Sequence, residues 1–216
     1  MKLKKLAYFT ISLLFITGLT SGYLAGDVEA KQGIRGKWIS LFNGKTLEGW
    51  HTVPGGTWSV ENRAIVGRSE KTDERHGLLV TDKSFKNFEV RIQYKAIKGN
   101  SGLYFRAEEV GGIVGVHGFQ AEIDPEKDVG GLYETGGREW VVQPTAEQVK
   151  TWYKPDRWNT MTVRAEDGHV VVRVNGKKTA ELTNDPGGRK EGHIALQLHG
   201  GMDMHVLFRG IRIKEI

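Results

Sequence analysis

An all-β sandwich or barrel is the fold class this sequence predicts, on three observations: short stretches of period-two alternation, turn residues between them, and scarcely any helical periodicity. Taken in order, the chain opens with the basic stretch Met1-Lys2-Leu3-Lys4-Lys5, followed by an apolar run from Leu6 to Leu19. That run is too short to span a bilayer comfortably. Val28-Glu29-Ala30 then places small or apolar residues one and three positions before a cut. Residues 1–30 therefore read as a removable signal segment, and 31–216 as an exported chain, periplasmic or extracellular, with no membrane insertion once the segment is gone. The remaining length suits one well-buried core, so 31–216 reads as a single domain.

Within it, Phe88, Val90, Ile92 and Tyr94 alternate with Glu89, Arg91, Gln93 and Lys95. Met161, Val163 and Ala165 alternate with Thr160, Thr162 and Arg164, and Val170, Val172 and Val174 share a face. Each reads as a strand with one buried side. Val174-Asn175-Gly176-Lys177 is a two-residue hairpin, because Asn-Gly accepts the positive φ angles of a type I′ turn. Glu166-Asp167-Gly168 closes the hairpin before it. One helix is expected, from Pro144-Thr145 to near Trp152, where Thr145 and Gln148 have capping-box spacing.

The formal net charge is +5, with Lys and Asp/Glu interspersed and no long run of one sign, so no nucleic-acid partner is expected. There is no cysteine, which excludes disulfides, thiolate metal sites and a lipidated cysteine anchor. Gly44-Lys45-Thr46 imitates the end of a phosphate loop, but Ile39 stands where that motif needs Gly. Gly112, Gly115 and Gly118 lack the Gly-x-Gly opening of a dinucleotide site. Asp124, Glu126 and Asp128 lack the EF-hand glycine spacing and leave only an irregular calcium loop.

Three stretches depart from ordinary alternation. Tyr104 and Arg106 oppose Leu103 and Phe105; Gln120, Glu122 and Asp124 oppose Phe119, Ala121 and Ile123; Gln197 and His199 oppose Leu196 and Leu198. If these strands are neighbours, one face collects Tyr104, Arg106, Gln120, Glu122, Gln197 and His199. That set joins a phenol, a guanidinium fork, amides, a carboxylate and an imidazole, suited to recognising hydroxyls and moving protons. The bland alternative is a cross-strand Arg106–Glu122 pair and a core histidine.

The runs Leu41-Phe42-Asn43-Gly44-Lys45-Thr46-Leu47-Glu48-Gly49-Trp50, Gly99-Asn100-Ser101-Gly102-Leu103-Tyr104-Phe105-Arg106, Trp158-Asn159-Thr160, Leu196-Gln197-Leu198-His199-Gly200 and the tail from Gly210 to Ile216 together resemble the 3-keto-disaccharide hydrolase family. The resemblance implies a concanavalin-A-like jelly roll of two antiparallel sheets whose concave face holds a sugar. It also implies action on glycosides already oxidised to a ketone at carbon 3, and it carries the family's polar strand residues onto Asn100, Arg106, Glu122 and His199. A ketone at carbon 3 acidifies the hydrogen on carbon 2, so a base can remove it and the aglycone can leave carbon 1. Glu122 or His199 suits the base, and Arg106 the developing enolate. A divalent metal held by Glu122, Asp124 or His199 is the alternative for the enolate. Asn100, Tyr104, Gln120 and Gln197 are expected to bind sugar, with Trp140, Trp152 and Trp158 as stacking platforms or packing. Two rival readings are a non-catalytic carbohydrate-binding module and a retaining glycosidase built on Glu122, Asp124 and Glu126. Pro125 argues against the second by breaking the strand.

Overall fold

The computed structural model describes residues 36–216, so the expected signal segment lies outside the described residues. The strands are β1 (Ile39–Ser40), β2 (Trp50–Val53), β3 (Thr57–Glu61), β4 (Ala64–Ser69), β5 (Gly77–Phe85), β6 (Phe88–Lys98), β7 (Ser101–Glu109), β8 (Val116–Ile123), β9 (Leu132–Thr135) and β10 (Glu139–Val142). After helix α1 (Ala146–Lys150) come β11 (Asn159–Glu166), β12 (His169–Val174), β13 (Lys177–Leu182), β14 (Gly192–Leu198) and β15 (Met204–Glu215). All pairings are antiparallel. One sheet runs β13-β12-β11-β6-β15-β4-β3 with β1 also on β15, and the other runs β10-β9-β8-β7-β14-β5-β2. The sandwich expected from the alternation is present, and the barrel alternative is not.

Alternation sets which faces meet. Phe88, Val90, Ile92 and Tyr94 of β6 and Met161, Val163 and Ala165 of β11 are buried against Leu103, Phe105, Phe119, Ala121 and Leu196 of the other sheet. The Asn175-Gly176 turn has φ of 50° and 86°, as a type I′ hairpin requires. The Thr145–Gln148 capping box is formed, and α1 packs only Val149 inward. Trp152 donates its indole N–H to the Val129 carbonyl at 2.9 Å and is buried, so it is core packing and not a sugar platform. Among the described residues, no helix is long and apolar enough to cross a membrane.

One irregularity redirects the site. The register of β7 shifts between Phe105 and Glu108, and Arg106 has φ of +50°. The extra residue breaks alternation, so Tyr104 and Ala107 share the outward face while Arg106 leaves it. Room for this bulge comes from glycines on both neighbouring strands. A Cβ on Gly118 would stand 2.9 Å from the Ala107 Cα, and one on Gly192 would stand 2.4 Å from the Arg106 carbonyl carbon. Gly192→Ala should therefore destabilise by about 1–3 kcal/mol. Thermal unfolding should show a midpoint several degrees lower, whereas an unchanged midpoint would mean that the bulge yields freely.

Candidate active site on the seven-stranded sheet

The order β8-β7-β14 brings the three polar stretches together as expected. Gly102 on the middle strand makes their contact possible. A Cβ there would lie 2.3 Å from Gln120 Nε2, so only glycine lets an amide from β8 cross β7. Gln120 Nε2 donates to Gln197 Oε1 at 3.0 Å, and Gln197 Nε2 donates to His76 Nδ1 at 2.9 Å. This chain places the His76 proton on Nε2. Burial, reinforced by the neighbouring His199 ring, pushes His76 down to about 4, so it is neutral at physiological pH. His199 is the opposite tautomer. Its Nδ1–H donates to the Gly200 carbonyl at 2.7 Å, which leaves the lone pair on Nε2. The two rings pack with centroids 4.3 Å apart.

These groups line a cavity of about 260 Å³, together with Asn100, Tyr104, Glu122, Tyr133, Thr135, Val114 and Trp140. That volume sits below the ~300–1,000 Å³ of sites for drug-sized ligands, and it suits one small ring with the rest of the ligand outside. Glu122 is buried, and its Oε2 has no hydrogen-bond partner. Burial first, and then the Asp124 and Asp128 carboxylates, push its carboxyl up to about 8, so it carries a proton at neutral pH. Tyr104 shares a hydrogen bond with Thr135 Oγ1 at 2.8 Å, and Trp140 meets Tyr133 edge-on at 5.2 Å. Asn100 donates to Asp124 Oδ2 at 3.3 Å and keeps an unpartnered, buried Oδ1.

Three expectations are corrected. Arg106 does not join the cavity: its guanidinium donates to the carbonyls of Lys86, Asp167 and Arg189, because the bulge turns it away. Trp158 lies on the other sheet, under the Arg209 guanidinium at 4.0 Å. The ligand set Glu122, Asp124 and His199 does not assemble. Asp124 turns into the following loop and accepts the Glu126 N–H at 3.0 Å, and among the described residues no three His, Asp or Glu side chains could together hold a metal ion. Glu126 is in a loop, as Pro125 foretold, so the three-carboxylate strand of a retaining glycosidase is not formed. His76 was missed, since it precedes β5 in a loop and carries no periodic signal.

The fold is a two-sheet jelly roll with a polar cavity on one outward face. The carbohydrate-binding module CBM66 of Bacillus subtilis superposes with a TM-score of 0.61 at 17% identity, covering 77% of this chain and 96% of that one. A candidate glycosyl hydrolase of Parabacteroides distasonis superposes with a TM-score of 0.62 at 23% identity, covering 89% and 98%. Both show the fold alone. The sequence profile of the 3-keto-alpha-glucoside-1,2-lyase-like domain matches residues 37–214, and the chain belongs to that family. It is also 37% identical over 83 residues to a 3-keto-disaccharide hydrolase of Bacteroides thetaiotaomicron, a match spanning 34% of this chain and 28% of that relative.

Proposed function

We propose that the protein cleaves glycosides oxidised at carbon 3, by elimination across carbons 1 and 2 followed by hydration. What carries this reading is the pairing, in one cavity, of a protonated buried carboxyl at Glu122 with an unprotonated imidazole nitrogen at His199. His199 Nε2 takes the hydrogen from carbon 2, and the bonding pair moves toward the carbon-3 oxygen. His76 Nε2–H is the donor to that developing enolate. A neutral imidazole N–H, held in place before reaction, can donate to that developing charge as a preorganised electrophile. As the carbonyl re-forms, the bond from carbon 1 to the aglycone oxygen breaks, and Glu122 gives that oxygen its proton. Water then adds to the enone. Its hydroxyl goes to carbon 1, its proton returns to Glu122, and His199 returns a proton to carbon 2, so both groups are reset.

Of the two bases the sequence offers, this reading takes His199 and makes Glu122 the acid. Arg106, the expected enolate partner, is replaced by His76. The protein's similarity in fold to a binding module supports a second reading, binding without turnover, which the same assay separates. A 3-keto-disaccharide deuterated at carbon 2 should turn over more slowly than the protium form, and product made from protium substrate in D₂O should carry deuterium at carbon 2. Cleavage with neither effect would overturn elimination, and binding without cleavage would leave only the module.

A further inference from the structure

Two of the family-like runs, around Phe42-Asn43-Gly44 and at Gly210-Ile211-Arg212, take no part in the cavity above. They meet on the outer face of the eight-stranded sheet. There the register of β15 slips between Arg209 and Arg212, with Gly210 at φ of +58°. Ile211 stays buried while Arg209 and Arg212 are both exposed, so the bulge turns two guanidiniums to the same side. Two adjoining cavities, of about 350 and 600 Å³, share Gln93, Gly210 and Arg212 and form one groove. Arg91 lines one part, Arg63 and Arg209 the other, and no Asp or Glu lines either.

Two of these guanidiniums are ordered chiefly by rings and an amide. Arg91 lies 5.0 Å over Trp38; Arg209 lies 4.0 Å over Trp158 and donates to Gln93 Oε1 at 2.9 Å. A carboxylate would both fix and neutralise such a group, whereas a ring fixes it and leaves its donors available. Glu89, the acid that reaches Arg91, does not line the groove and is divided among Arg91 and Arg164 at 3.9 Å and Lys214 at 3.4 Å. Cross-strand register continues the positive row as Arg212, Arg91, Thr162, Arg173 and Lys178. Apart from the hairpin pair Arg173 and Lys178, these cations are far apart in sequence, and the sheet lines them up about 4.8 Å from strand to strand.

We propose that this groove binds an acidic polysaccharide, with its carboxylates received by Arg91, Arg209 and Arg212, as a second carbohydrate site on the sheet opposite the cavity. Planar carboxylates match the guanidinium fork, and a row of cations across strands fits an anion repeated along a chain better than a single small ion. Nucleic acid fits less well, because Trp38 and Trp158 already carry cations on their rings and offer little for bases to stack on.

The test uses the full chain in affinity electrophoresis through gels containing polygalacturonate, dextran or DNA. Polygalacturonate should retard the protein, less so as salt is raised, and dextran should not. The double variant Arg91→Gln, Arg212→Gln should weaken binding by roughly tenfold or more with its unfolding midpoint unchanged. Turnover of a 3-keto-disaccharide should also be unchanged, and because binding and turnover are read separately, failure of one proposal does not carry the other with it. No retardation by polygalacturonate, retardation unaltered by the double variant, or equal retardation by DNA would each overturn the acidic-polysaccharide site.

Discussion

Glu122→Gln should make the protein more stable in alkali while removing most of its turnover. The fold raises the Glu122 carboxyl to about 8 from its ordinary value of 4.5, so the native state favours the protonated form. Its contribution to stability is complete below about pH 4.5 and is lost as pH rises toward and through 8, a decline of roughly 5 kcal/mol for this one group. An amide of the same shape cannot ionise. The variant's unfolding midpoint should therefore fall less between pH 5 and pH 9 than the wild type's, and equal declines would mean that the carboxyl is not buried as described. In catalysis the same amide cannot protonate a departing alkoxide, so turnover of a 3-keto-disaccharide should drop by about a hundred- to ten-thousand-fold. A 3-keto glycoside with a nitrophenol aglycone, which leaves without a proton, should recover much of the loss. His199→Asn should fail on both substrates, because the hydrogen on carbon 2 must be removed in either case. Wild-type kcat/KM should fall above about pH 8 as Glu122 ionises, and Glu122→Gln should lack that limb.

The contrast between Glu122 and Arg106 shows where the sequence is legible. Alternation places Gln120 and Glu122 on one face because β8 is regular there, whereas the neighbouring of β8, β7 and β14 is only a condition in the sequence and is supplied by the strand order of the fold. Arg106 obeys the same alternation on paper. A single extra residue in β7 reverses it, and the causes, Gly118 and Gly192, lie on other strands where nothing in β7 announces them. His76 was invisible for a different reason: it reaches the cavity from a loop, through a hydrogen bond to Gln197 over a hundred residues away. For Trp158, residue type offers a stacking platform or packing, and type does not say which sheet a ring lies on.

Arg106→Met should cost about 3–5 kcal/mol of stability and leave kcat nearly unchanged at temperatures where the variant is folded. Arg106 is the largest fully buried side chain, 1% exposed. Its guanidinium closes the β5–β6 turn through the Lys86 carbonyl at 3.0 Å, the β11–β12 turn through Asp167 at 2.7 Å, and the segment before β14 through Arg189 at 3.0 Å. β11 and β12 belong to one sheet and β7 to the other, so this one side chain joins the rims of both. Met fills comparable space but leaves three carbonyls without these donors. Lys keeps the charge on a single nitrogen and lacks the planar fork, so Arg106→Lys should fall between Met and wild type in stability. An Arg106 placed at the enolate, as the sequence suggests, would make the Lys variant lose turnover far more than folding; its hydrogen bonds to three backbone carbonyls reverse that order. Unfolding midpoints and kcat on one 3-keto-disaccharide decide it. A large loss of kcat with an unchanged midpoint would return Arg106 to the cavity and its chemistry, whereas a lowered midpoint with kcat preserved fixes it as the clamp between the sheets.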